Sequence, residues 1–142
     1  MKSAIRKLAG AGMSLVAAAG IAWGAASPAS ADTWFPTNSG SGVCASSKYA
    51  LCIWDQSNYQ GSGLGVTSSD WSKVNQNLNK YYGFFNYNVS SLINNTSRPL
   101  CVTNGPDATG SKWEIAPYAQ LRGLGWHDNW IVSIQYGSCQ YY

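Results

Sequence analysis

The sequence predicts an all-β fold, a sandwich of two Greek-key motifs with one short helix in a loop. Three observations carry this. Short stretches rich in β-branched and aromatic residues alternate with Gly, Asn, Asp and Pro. A frame occurs twice: "CIWDQSNYQG" from Cys52 to Gly61 and "CVTNGPDATG" from Cys101 to Gly110, offset by 49 residues at both ends. The chain carries four cysteines, an even number, all after residue 43.

Residues 1–31 read as a secretory signal peptide. Lys2, Arg6 and Lys7 form a basic start, Leu8 to Trp23 an apolar run, and Ala29-Ser30-Ala31 a small-x-small cleavage site. The apolar run is shorter than the roughly 20 residues a membrane span needs. The mature chain is then 32–142 and extracellular. Nine Lys and Arg stand against six Asp and Glu in the whole chain. Three of the nine lie in the leader and all six acids follow it, so the mature charge is 6 − 6 = 0. No basic stripe remains, which argues against a nucleic-acid partner. No membrane partner is expected either, and the chain is expected to act as a monomer.

Residues 32–43, "DTWFPTNSGSGV", read as a flexible lead-in segment, with Trp34 and Phe35 able to dock. One domain, 44–142, follows. Strand-like stretches are "YALCIWD", "VSSLINN", "RPLCVT", "SKWEIAP" and "WIVSIQY". Trp71, Val74 and Leu78 fall at i, i+3 and i+7 behind Ser69, which predicts a short helix over about 70–79. A second pair of markers, "NYNVSSL" and "DNWIVSI", puts Ser91 and Ser133 at matching places. The halves divide at about 44–95 and 96–142.

In an exported chain the four cysteines predict two disulfides, with three pairings open. The spacings lack C-x-x-C and His127 is the only histidine, which argues against zinc. Gly61 and Gly110 each close a tight corner where φ > 0 or close backbone approach is needed. Trp54 and Tyr59 would pack over the first hairpin; the second has Thr103 and Ala108 in their places.

Trp54-x4-Tyr59-x-Gly61 followed by Ser91 resembles the βγ-crystallin Greek-key signature, and the second copy keeps Gly110 and Ser133. With the leader, the size, the four cysteines and "LCIWDQSNYQG", the chain resembles secreted bacterial metalloproteinase inhibitors of βγ-crystallin-like fold. Killer-toxin-like proteins share that fold. The resemblance implies local disulfides, Cys44–Cys52 and Cys101–Cys139. It also implies a secreted zinc metalloproteinase as partner, held off by a rigid, substrate-mimicking loop without a cofactor. On that reading Cys101-Val102 is the reactive bond, flanked by Arg98, Pro99, Leu100, Thr103 and Asn104. The turn at Asn104 to Asp107 would protrude, and Val102→Asp would leave the fold intact. The plainer alternative is that Cys101 and Val102 begin a strand, with Val102 in the core.

Calcium is a weaker expectation. Asn86, Ser90, Asp128 and Asn129 stand in two stretches of the βγ-crystallin calcium form, but Tyr87 and Val132 replace a ligand in each. No catalytic motif is found, so no enzyme is expected. The rival reading is a carbohydrate-binding module using Trp126, Asp128, Asn129 and Trp130.

Overall fold

The computed structural model describes residues 32–71 and 78–140. The expected signal peptide and Val74 lie outside the described residues.

Among the described residues, eight strands form two antiparallel sheets. They are β1 (Thr33–Phe35), β2 (Leu51–Gln56), β3 (Gln60–Val66), β4 (Ser91–Asn94), β5 (Leu100–Thr103), β6 (Lys112–Ile115), β7 (Gln120–Leu121) and β8 (Ser133–Tyr136). The first sheet runs β1-β3-β2-β4-β7 and the second β6-β5-β8. β2, β3 and β4 belong to the first Greek key, and β5 to β8 to the second. β7 leaves its own key and pairs with β4, Leu92 opposite Leu121. Each key therefore contributes to a shared sandwich.

Alternation along the strands fills the space between the sheets. Leu51, Ile53, Leu64, Val66 and Leu92 from one sheet meet Leu100, Val102, Ile115 and Ile134 from the other. Leu78, Tyr82 and Phe85 close one end of this core.

The segment 32–43 corrects the expectation of a flexible lead-in. Its β1 pairs along β3, with Trp34 opposite Leu64. Phe35 joins a second cluster on the outer face of the first sheet with Tyr49, Trp54, Tyr59 and Ile93. Asn38 exchanges two bonds with Gly61: its N–H donates to Gly61 O (2.9 Å) and its Oδ1 accepts from Gly61 N–H (2.8 Å). Burial of Phe35 and the ladder outweigh the entropy of ordering a Ser/Gly-rich stretch.

β3 was missed because "QGSGLGV" has low strand propensity. Its glycines make room for neighbours instead: a Cβ on Gly63 would meet the Trp54 indole, and one on Gly65 the Phe35 and Tyr49 rings. Between Val66 and Ser91 the chain does not form the strand that β7 represents in the second key, among the described residues. A 3-10 turn (Ser68–Asp70) leads to helix α1, described as Leu78–Tyr82. Ser69 lies inside that turn, with Thr67 at the cap position, its hydroxyl donating to Asp70 Oδ2 (2.7 Å). Trp71 and Leu78 both contact the β8 region: Trp71 packs on Tyr136 (5.1 Å between ring centroids), and Leu78 N–H donates to Val132 O (2.8 Å).

Candidate functional site

The repeat is a repeat in three dimensions. Asn58 and Tyr59 have φ of 60° and 61°; Asp107 and Ala108, 49 residues on, have 50° and 61°. Gly61 and Gly110 follow at φ 72° and 81°. At both, a Cβ would run into the carbonyl-bearing side chain opposite, Asp55 and Asn104 respectively. Those same oxygens cap the hairpins: Asp55 Oδ1 accepts from Ser62 N–H (2.6 Å) and Asn104 Oδ1 from Ser111 N–H (2.8 Å).

The marker serines tie the hairpins down. Ser91 Oγ accepts from Tyr59 N–H (3.0 Å) and donates to Gln56 O (2.7 Å). Ser133 Oγ accepts from Ala108 N–H (3.1 Å), donates to Gly105 O (2.9 Å) and bonds Thr103 Oγ1 (2.6 Å). Ser133→Ala is expected to cost about 1–3 kcal/mol, because buried partners lose their bonds. A urea titration should show a lower midpoint with an unchanged slope.

The second hairpin therefore folds back as the first does, which corrects the expectation that it protrudes. What differs is its cover. In the first key Trp54 packs edge-on against Tyr59 (5.1 Å, 62°) and beside Phe35 (5.7 Å). Burial raises the Tyr59 phenol above its usual pKa, against the pull of the Arg122 charge. In the second key Thr103 and Ala108 leave an open groove of ≈ 710 Å³, lined by Asp107, Thr109, Lys112, Gln135 and Gln140.

Each sheet carries a disulfide at the equivalent strand position. Cys44–Cys52 has Cα atoms 6.1 Å apart and Cys101–Cys139 4.8 Å. Cys139 N–H also donates to Glu114 Oε2 (3.0 Å), and Lys112 Nζ to Gln140 O, so the tail lies over the outer face of the second sheet.

The expected reactive bond is not exposed. β5 is the central strand of its sheet: Val102 lies opposite Trp113 on β6 and Ile134 on β8. Cys101, Val102, Leu100 and Thr103 are all 0 % exposed. Val102 points into the inter-sheet core, as Ile53 does in the first key. Arg98 is exposed, Pro99 and Asn104 are half-buried. Cys101 and Val102 thus lie within a strand with Val102 in the core, and a central strand has no free edge to offer a peptidase cleft.

The calcium-like stretches do meet. Tyr87 N–H donates to Ile131 O and Asn129 N–H to Val89 O, both 3.1 Å, a reciprocal pair across the two keys. Ser90 Oγ lies 3.5 Å from Asn129 Oδ1, with Asp128 Oδ2 3.4 Å from Asn129 Nδ2. The matching half offers Asn86, Tyr87 and Val132: one amide oxygen, one phenol that donates instead to Asn104 O (3.3 Å), and no hydroxyl at 132. No group of three or more His, Cys, Asp or Glu suited to a metal occurs among the described residues.

Sequence reasoning missed the organisation of the 122–130 loop. His127 lies flat on Trp113 (4.2 Å, 10°) and edge-on to Trp130 (5.1 Å, 82°). Trp113 and Trp130 in turn pack on the inter-sheet core. Trp130 is thereby used within the fold, whereas Trp126 is 100 % exposed. Glycines at 123 and 125 just ahead of Trp126 were the available signal.

Paired Greek keys with Gly-cornered, Ser-tied hairpins define a domain of the βγ-crystallin fold. A solved structure on the evolution of the eye lens βγ-crystallin domain fold is similar at 14% identity and TM-score 0.53, covering 78% of this chain and 100% of that one. A βγ-crystallin from Ciona intestinalis has 21% identity and TM-score 0.47, over 61% and 96% of the two chains. A βγ-crystallin domain from Clostridium beijerinckii has 18% and 0.49, over 63% and 99%. The first of these likenesses speaks to the fold alone. No curated protein matches the sequence. Residues 37–115 match the model of peptidase inhibitor family I36, and the chain belongs to that family.

Proposed function

We propose that the protein is a secreted inhibitor of a zinc metallopeptidase, acting as a pre-folded body without a metal or cofactor of its own. The observation that carries this is the family match, which spans the whole first key and β5 and β6 of the second. The two disulfides agree with it, as does the signal peptide expected from the sequence. The metallopeptidase class rests on the resemblance of "LCIWDQSNYQG", the four cysteines and the leader to secreted metalloproteinase inhibitors. Rigidity favours inhibition: little chain entropy is lost when such a body binds. The burial of Cys101 and Val102 favours a contact made by exposed loops over one made at that bond.

The test is a titration of the purified, oxidised protein against a thermolysin-type peptidase, with a serine peptidase alongside. Stoichiometric loss of the metallopeptidase activity alone is expected. If the folded protein leaves that enzyme untouched at micromolar concentrations, the metallopeptidase reading fails.

A further inference from the structure

We infer that Trp126, at the tip of the 122–130 loop, is the anchor that enters the target peptidase. The inference rests on the inhibitor reading above and names the surface that serves it. Three features of the loop point there.

The first is shape. Gly125–His127 is a 3-10 turn, with Gly125 at φ 57° and Asn129 at φ 54°. Leu124 turns inward and is 4 % exposed. His127 is held down on Trp113. With Gly123 and Gly125 on one side and His127 drawn away on the other, Trp126 is the side chain left at the crest. A narrow convex tip carrying one large ring matches a concave peptidase cleft. It does not match the flat, multi-ring platform on which a polysaccharide stacks, since the neighbouring Trp130 is spent on the core and on His127.

The second is fixation. Asn58 N–H donates to Arg122 O (2.6 Å), and Asn129 N–H to Val89 O (3.1 Å). Inside the turn His127 N–H donates to Leu124 O (3.0 Å) and Asp128 N–H to Gly125 O (3.1 Å). The tip is thus fastened at both ends and braced at its base, so docking it costs little ordering entropy.

The third is mounting. The loop lies after the 37–115 segment that the family shares, but every fastener named outside the turn, Asn58, Val89 and Trp113, lies within that segment. The family's scaffold therefore sets where Trp126 points. Trp126 gives the fold almost nothing, being wholly in solvent, while buried aromatics dominate the energetics of protein interfaces.

The experiment uses the oxidised full protein against a panel of metallo-, serine and cysteine peptidases. Trp126→Ala is expected to weaken inhibition about 30-fold or more, with an unchanged melting temperature. Trp126→Phe should retain part of the affinity, and Tyr118→Ala, at an exposed ring outside the loop in the groove with Lys48 and Asn95, should retain all of it. The part of the acrylamide quenching that Trp126→Ala removes should fall in the wild type when the peptidase is added, while that of Trp34, 52 % exposed, should not. Equal inhibition by wild type and Trp126→Ala overturns the assignment and leaves the inhibitor reading standing. A wild type that inhibits nothing in the panel overturns both. Protection of the indole by a polysaccharide and not by a peptidase also overturns the assignment.

Discussion

Val102→Asp is expected to yield no folded protein. Val102 is fully buried between the sheets, on the central strand, among Ile53, Ile115 and Ile134. An ionised carboxylate there carries a desolvation penalty of several kcal/mol. Neutralising it by proton uptake transfers part of that cost to a raised pKa. Either way the loss approaches the roughly 5–15 kcal/mol by which domains are stable at all. Circular dichroism and a thermal scan should show no cooperative transition. Val102→Thr, which keeps the shape, should fold with a lowered midpoint and inhibit as the wild type does. A folded Val102→Asp protein that had lost inhibition would instead restore Cys101-Val102 as the reactive bond. The substitution thus separates a core residue from a contact residue, which the resemblance alone does not.

Replacing both Cys101 and Cys139 by Ser is expected to cost about 4 kcal/mol, and replacing Cys44 and Cys52 about 2.5 kcal/mol. The sequence separations of 38 and 8 residues set that order. Both figures are upper ends, because an unfolded chain that keeps some structure gains less entropy when the bond is removed. Without the covalent tie, however, residues 137–140 are held by polar contacts, from Gly137 N–H to Pro99 O (2.8 Å) and those to Glu114 and Lys112. Urea unfolding of the two double variants should rank them, the Cys101/Cys139 pair falling further. An equal loss in both would mean that the unfolded chain, and not loop length, governs the effect.

Much of this was legible in the sequence because it depends on local backbone geometry. A corner that forces φ > 0 selects Gly, and a hairpin that folds back needs a hydroxyl beneath it. Both leave marks at fixed spacing, and the 49-residue offset reappears in the dihedral angles of Asn58 and Asp107, and of Tyr59 and Ala108. The cysteines alone left three pairings open; the pairing came from the family resemblance, and Cys44–Cys52 and Cys101–Cys139 are the bonds formed. β3 and β1 left no such marks, since their order comes from what packs on them: Trp54, Phe35 and Tyr49 need the space that Gly63 and Gly65 leave.

The sequence by itself determined the two Greek keys, their hairpins and the cysteines that lock them. Only the tertiary structure decided which residues a partner can reach. Along Leu100-Cys101-Val102-Thr103 the period of two says which side chains share a face. It does not say that both faces are covered, one by the opposing sheet and the other by the Cys139 tail. The same limit held at the loop, where "GLGWHDNW" did not reveal which aromatic would be left outside. That was settled by Trp113, a residue on another strand, whose ring takes His127 and leaves Trp126 to the solvent.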